Sequence, residues 1–339
     1  MKLRKILLLL IVVSTVLTAC KKDDDFGDPV QLRDATEVYE EDLEDIEEYL
    51  QTHFYNYEEF QENSPYSLEN DEFRIVFDTI AGSNIDKIPL MDMVDYKTVP
   101  FGGIDYKLYY LNVRQGLGNE IHFSDQATLI YEGSSIIDNL IFDSAVNEEK
   151  FNLLTVGTSL GVVTGFQQGV IQFNTSDSYT DNNDGTTSYH NHGIGAVFIP
   201  SGLGYFDQPL EGVPSYTPII FKFNLYERTI LDHDLDGIPS YMEDLDENGN
   251  SYNDDTDGDL LPNFVDNDDD NDGYFTRDEL EYEEYAIMVG DPEPIFADNE
   301  FESSRQENNG VITIKTVIIT DRDDDGVPDY LDIDTIPEP

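Results

Sequence analysis

The chain is predicted to be an α+β protein, because three textures follow one another along it. A helical period runs over 36–60, short strand candidates separated by turns fill 73–228, and an Asp-dominated stretch begins at 231. The predicted order is therefore an acidic helix, a mainly β domain and an acidic tail. The 39% hydrophobic and 12% aromatic content is enough for a packed core and excludes disorder throughout.

Charge narrows the function classes. There are 72 acidic and 18 basic side chains among 339 residues, a formal charge of −54. Nucleic acid is excluded as a partner, since phosphate binding rests on clustered Lys and Arg. Calcium or a cationic surface suits this balance better. Cys20 is the single cysteine, so the chain has neither an internal disulfide nor a cysteine-built metal site.

The amino terminus is an address. Lys2, Arg4 and Lys5 precede an apolar run from Ile6 to Val13, which continues to Leu17-Thr18-Ala19-Cys20. A positive start, a short apolar stretch and small closing residues form the pattern of a secretion signal. The run is short for a spanning helix, which needs about 20 apolar residues. Cys20 stands where a lipobox ends, so the segment resembles a bacterial lipoprotein signal. That resemblance implies a signal over 1–19, acylation at Cys20 and a tether over 20–35; the alternative is an ordinary signal with a chance cysteine. Lys21-Lys22-Asp23-Asp24-Asp25 resembles the charged tether of Bacteroidetes surface lipoproteins. The expected address is the outer membrane, on its periplasmic face or at the cell surface.

Tyr39, Leu43, Ile46, Leu50 and Phe54 recur at spacings of three and four among Glu and Asp, which predicts an amphipathic helix with Thr36 as N-cap. Together with a β extension it forms an N-terminal region over 36–104. A mainly β domain is expected over 105–230. Its pieces are Thr128-Leu129-Ile130-Tyr131-Glu132-Gly133 entering a turn, Ile141-Phe142-Asp143-Ser144, and Phe151. Val162-Val163-Thr164-Gly165-Phe166 then leads into a short helix. Ile199-Pro200-Ser201 with Tyr205, and the strand Ile219 to Leu225, close the series. Thr175 to His192 is a polar insertion, expected to be a long loop that shapes substrate choice or is simply tolerated; for His190-Asn191-His192 within it, a solvated loop is expected over the alternative of a metal site.

This ordered set resembles the FKBP-type peptidyl-prolyl cis-trans isomerases. The family's marks are Tyr-x-Gly, Phe-Asp-Ser, Val-Ile-x-Gly-Trp, Ile-Pro-Ser-x-x-x-Tyr and a final Phe-x-Val/Phe-x-Leu strand, and the resemblance spans about Asp105 to Arg228. It implies a curled antiparallel sheet around one short helix. It also implies a pocket walled by Tyr131, Phe142, Phe151, Val162, Val163, Phe166, Tyr205 and Phe221, with Asp143 at the rim. The Tyr205 hydroxyl and the Val163 N–H would be donors to the peptide. Phe166 stands where the family usually has Trp, and Gly204-Tyr205-Phe206 replaces Ala-Tyr-Gly.

The tail, 231–339, has a stricter pattern than its composition requires. A calcium loop places oxygen ligands at positions 1, 3 and 5, a turn Gly at 6 and a carboxylate at 12. Asp232, Asp234, Asp236, Gly237 and Glu243 satisfy it, as do Asp244, Asp246, Asn248, Gly249 and Asp255. A third copy has Asp255, Asp257, Asp259 and Asp266, with Leu260 at the Gly position. Asp268, Asp270, Asp272, Gly273 and Glu279 form the fourth, and Asp321, Asp323, Asp325, Gly326 and Asp332 the fifth. Pro239, Pro262 and Pro328, each eighth in its loop, argue against EF-hand helices. Asp-Gly-Ile-Pro-Ser-Tyr resembles thrombospondin type 3 repeats, whose calcium ions would serve as the core. Between Asp232 and Glu279 stand 18 acids and one base, Arg277; such a chain repels itself open unless divalent ions neutralise it.

The expected function is isomerisation of Xaa–Pro bonds in exported or envelope proteins, with structural calcium in the tail and no cofactor for catalysis. The alternatives are a catalytically weak proline-peptide-binding module and a calcium-stiffened surface spacer or adhesion protein.

Overall fold

The helical period of the N-terminal region becomes α1, Ala35–Thr52. It buries Val38, Asp42, Ile46, Tyr49 and Leu50, so its inner face is turned slightly from the predicted stripe. Thr36 lies inside the helix rather than at its cap. The helix also stops before Phe54, because Thr52 turns its hydroxyl back to the Glu48 carbonyl at 2.8 Å and His53–Tyr55 leaves as strand β1. β1 pairs with β2, Phe77–Thr79, and the one-turn helix α2, Leu68–Asp71, lies between them.

The computed structural model describes residues 32–156 and 161–335. Cys20, the signal-like segment before it and the Lys21–Asp25 tether lie outside the described residues. Ala35–Pro339 is one compact unit.

Its centre is a six-stranded antiparallel sheet in the order β3-β4-β9-β10-β5-β6. The strands are β3 Val94–Phe101, β4 Ile104–Arg114, β5 Gln126–Ser135, β6 Ile141–Asn152, β9 Gly193–Ile199 and β10 Ile219–Thr229. β3 lies within the β extension expected before 105, although mostly exposed Val94–Phe101 lacks a clean alternation. Register shifts interrupt the β4–β9, β10–β5 and β5–β6 pairings, and such bulges bend strands locally.

Both faces of the sheet are covered. α3, Thr164–Val170, packs Phe166 and Val170 against Val197, Ile199, Phe221 and Phe223 on one face. α1 brings Ile46, Tyr49 and Leu50 to Ile194, Ala196, Phe198 and Ile220 on the other. Every residue of β9 is buried in consequence, which explains why Ala196-Val197-Phe198-Ile199 reads as a continuous apolar run. The sheet thus carries helices on both faces, where the resemblance implied one.

Asp42 fixes α1 to the loop after β9. Its Oδ2 accepts from the Ser201 N–H at 2.7 Å and the Ser201 hydroxyl at 2.6 Å. Burial, only partly offset by these bonds, pushes its carboxyl up to about 6, with Asp45 and Glu41 adding to the rise. A raised carboxyl contributes stability that is present below its unfolded value and lost as pH climbs through the folded one. Between pH 4 and 7, Asp42→Asn should therefore gain on the parent chain by at most about 3 kcal/mol. Denaturant midpoints of both proteins across that range measure the difference; parallel curves would contradict it.

The polar insertion is not a solvated loop. It forms a hairpin of β7, Ser178–Asp181, and β8, Thr187–His190. His190 Nδ1 meets Asp71 Oδ2 at 2.9 Å, and Arg114 Nη1 lies 2.9 Å from Asp71 Oδ1. His192 is 1% exposed and its Nε2 lies 2.8 Å from Asn224 Nδ2. Burial, with Arg114 next, drives that imidazole down to about 2, so it is neutral and structural.

Past β10 the chain runs through the Asp-rich loops into a second antiparallel sheet, β11-β13-β12. Its strands are β11 Glu281–Met288, β12 Glu300–Asn308 and β13 Val311–Ile318.

Candidate functional site

The nine residues expected to form a pocket converge on one side of the sheet, around Phe221. Its ring lies 4.8 Å from Phe166, 5.6 Å from Phe142 and 6.1 Å from Tyr131. Tyr131 meets Phe151 edge-on at 5.3 Å, and Phe142 meets Tyr205 at 6.1 Å. Phe166 and Phe221 are buried; Tyr131, Phe142, Phe151, Val162, Val163 and Tyr205 are half-buried against the same core. Val163 immediately precedes α3, and its carbonyl accepts from the Phe166 and Gln167 N–H groups.

Asp143 stands at the exposed edge of these rings. Its Oδ2 accepts from the Tyr131 hydroxyl at 2.8 Å, across the β5–β6 pairing. Burial first, then this bond to Asp143, holds the Tyr131 phenol well above its usual range. Tyr205 is raised too, by burial and then by Asp143. Both tyrosines therefore remain protonated donors at neutral pH. The arrangement offers apolar ring surface edged by hydroxyls and one carboxylate, with no nucleophile among its members.

Tyr131-Glu132-Gly133 is not a turn. All three residues lie inside β5, with Gly133 opposite Phe221 on β10 and Asp143 on β6. The glycine is needed for space: a Cβ there would stand 2.6 Å from a Phe221 ring carbon and 2.8 Å from one of Phe142. Phe206 adopts φ 45, the left-handed conformation that glycine takes most easily.

A cleft of about 540 Å³ adjoins the cluster at Val162 and Thr164, and Asn248, Gly249, Asn250 and Tyr252 of the tail form its far wall. The tail is packed onto the sheet domain here. The Tyr252 hydroxyl donates to the Thr155 carbonyl, Phe264 is fully buried with Phe123 and Leu154, and the Tyr241 ring stacks on His122 at 3.7 Å.

In the tail, the predicted carboxylates do gather. Oxygens of Asp232, Asp234 and Asp236 lie within 4.8 Å of one another, as do those of Asp255, Asp257 and Asp259, and those of Asp268, Asp270 and Asp272. The first carboxylate of each loop folds the turn. Gly237 N–H donates to Asp232 Oδ2 at 3.0 Å, Gly249 to Asp244 Oδ2 at 2.7 Å and Gly326 to Asp321 Oδ2 at 2.9 Å. Asn248 N–H bonds Asp246 Oδ1, and Asp325 N–H bonds Asp323 Oδ1, each at 3.1 Å. Leu260 takes φ 85 in the place of the missing glycine, while its N–H still reaches Asp255 Oδ2 at 3.1 Å.

One detail departs from the predicted spacing. In the second loop Asp254, rather than Asp255, gathers with Asp244 and Asp246, because Asp255 already heads the third loop. In the fifth loop Asp332 accepts from the Thr335 hydroxyl at 2.7 Å. Asp266, closing the third loop, accepts from the Asp268 N–H at 3.1 Å.

Sequence reasoning missed position 9. Ser240, Asn263, Thr276 and Asp329 are each buried there, in every loop but the second. Each side-chain oxygen accepts from the N–H of its loop's position 2: His233 at 3.1 Å, Thr256 at 2.9 Å, Asp269 at 3.3 Å and Arg322 at 2.8 Å. A short oxygen-bearing residue recurring at that position was the available signal. Residues 8 and 9 also open a single 3₁₀ turn in three loops, over Asn263–Val265, Thr276–Asp278 and Asp329–Leu331, so Pro262 and Pro328 start short helices instead of preventing them.

The tail's buried carboxylates are short of partners. Oxygens of Asp234, Asp236, Glu243, Asp254, Asp268, Asp269, Asp270, Asp272 and Glu279 are buried with no hydrogen-bond donor. Burial, then neighbouring carboxylates, pushes Glu279 up to about 8 and Asp270, despite a backbone bond, to about 6. A set of hard oxygens without counter-charge matches a divalent cation of the calcium kind.

A family model described as BamM C-terminal matches residues 233–299. The model matched over the Asp-rich stretch is thus not a thrombospondin type 3 repeat. No curated protein matches the chain. Among solved structures, the chain is similar to a peptidyl-prolyl cis-trans isomerase from Pseudomonas syringae pv. tomato, at 17% identity and a TM-score of 0.29, covering 39% of this chain and 80% of that one. It is also similar to FkpA from Escherichia coli, at 22% identity and a TM-score of 0.29, covering 39% of this chain and 51% of that one. The N-terminal domain of FKBP42 from Arabidopsis thaliana matches at 13% identity and a TM-score of 0.29, over 40% of this chain and 91% of that domain.

Proposed function

We propose that this protein is a peptidyl-prolyl cis-trans isomerase acting on Xaa–Pro bonds of exported polypeptides. The observation that carries the reading is the ring cluster about Phe221, edged by the Tyr131–Asp143 hydrogen bond of 2.8 Å. Rotation about the imide faces a barrier of about 18–20 kcal/mol set by amide resonance, and no bond has to break. A site accelerates it by binding the twisted amide better than the planar one. The twisted form is less polarised, so the faces of Phe142, Phe166 and Phe221 would favour it. The Tyr205 hydroxyl and the Val163 N–H would hold its carbonyl, and Asp143 would keep the Tyr131 hydroxyl oriented at the rim.

Turnover of a cis-prolyl peptide by the full chain tests this. Asp143→Leu should lower kcat/KM about tenfold, a loss of about 1.4 kcal/mol of transition-state stabilisation, with folding intact. A wild type without turnover, or an undiminished variant, would remove Asp143 and its ring cluster from the chemistry. Binding of the peptide without turnover would leave the second reading, a proline-segment receptor.

Calcium in the tail is part of the proposal, supported by the unpartnered carboxylates from Asp234 to Glu279. The same observation favours a stiffening role for 231–335 beside the isomerase. Attachment to the outer membrane through Cys20 rests on the signal-like segment. Among the described residues no helix is long and apolar enough to cross a membrane.

A further inference from the structure

Asp269 was no part of the spacing pattern. It occupies position 2 of the fourth loop, out of phase with Asp268, Asp270 and Asp272, and is nonetheless 2% exposed. One oxygen each from Asp236, Glu243 and Asp269 lie within 4.8 Å of one another, so the end of the first loop meets the start of the fourth. Glu243 is 0% exposed and neither of its oxygens has a donor. Asp236 spends Oδ1 on the Ile238 N–H at 2.8 Å and leaves Oδ2 without a partner. Asp269 spends Oδ2 on the Thr276 hydroxyl at 3.2 Å and leaves Oδ1 without one. Each carboxylate is thus held by one oxygen or by burial, and has another left for a common ligand. Buried Ile238 and Tyr330 pack about this end of the tail.

Removing an ion from water costs several kcal/mol unless a counter-charge compensates it. Three enclosed carboxylates with no cationic side chain donating to their free oxygens call for a cation. An all-oxygen set from two separate loops suits calcium, which tolerates irregular geometry, better than magnesium, which demands an octahedron and keeps its waters. We propose that Asp236, Glu243 and Asp269 hold a calcium ion shared between the first and fourth loops, beside the one expected at Asp232, Asp234, Asp236 and Glu243. This ion ties the first loop to the fourth, with Asp236 and Glu243 common to both positions. The inference rests on the calcium reading of the tail and is independent of isomerase activity.

The test uses the full chain, stripped with a chelator, dialysed and titrated calorimetrically with calcium chloride at neutral pH. Asp269→Asn should bind one ion fewer than the parent and, separately, Glu243→Gln, which touches both positions, at least one fewer. Each should also lose part of the calcium-induced rise in the unfolding midpoint, while Asp298→Asn, at an exposed acid outside the loops, keeps the whole rise. Far-UV circular dichroism with excess calcium identifies a variant that has failed to fold, and the other variant then decides. Unchanged stoichiometry in both Asp269→Asn and Glu243→Gln would overturn the shared ion alone. A parent chain that takes up no calcium would overturn it together with the calcium reading of the tail.

Discussion

Withdrawing calcium from the full chain should unfold the stretch 232–335 as a unit and lower its melting temperature by ten degrees or more, an order-of-magnitude figure. Each ion bound at a thousand times its Kd stabilises the folded state by about 4.1 kcal/mol, and several carboxylate clusters stand in line. Without the ions, buried Glu243 and Glu279 are left with neither oxygen paired. The fold of the tail then has little else to hold it. Its apolar core beside the loops is small, with Ile238, Leu280, Val317 and Tyr330 as the buried members. Limited proteolysis and calorimetry with and without chelator would report the change. A tail equally resistant in both conditions would mean that packing alone maintains it. Loosening should reach the sheet domain too, since Phe264, Tyr241 and Tyr252 leave Leu154, His122 and Thr155 when the loops open.

Gly133→Val should reduce prolyl turnover by at least about tenfold, the scale of one to two kcal/mol of lost transition-state binding. The position has no room for a side chain. Ring carbons of Phe221 and Phe142 already lie 2.6 and 2.8 Å from where a Cβ would stand. Both rings sit among others: Phe221 against Phe166, and Phe142 against Tyr205. Neither can retreat without moving a neighbour, and overpacking of this sort costs about 1–3 kcal/mol. The variant should therefore be less stable as well as less active, and turnover must be measured well below its melting point. Retained activity in a folded variant would show that the rings are not the walls of the site.

Much of this was legible because it rests on local chemistry. Asp at every second position followed by Gly dictates a tight turn, and Gly237, Gly249 and Gly326 donate to the carboxylate that opens each loop. The helix after Val163 was equally plain. What escaped depends on contacts between distant segments. Asp42 looked like one more acid on a solvated face, and only Ser201, far along the chain, gives it a reason to be buried. Gly133 resembled a turn because its two ring neighbours come from other strands. Asp269 was hidden by its own surroundings, since one acid among many reveals nothing until Glu243 is beside it.

The small sheet of the tail leaves β11 and β12 as outer strands, each with an unpaired row of backbone groups. Such rows invite stacking of one molecule on the next. Here Glu281, Glu283 and Glu284 guard one margin, and Glu302 and Glu307 the other, where a register shift between Glu302 and Ser304 also breaks the line. Copies of this chain brought to high local concentration would thus be kept from knitting into fibres by mutual repulsion.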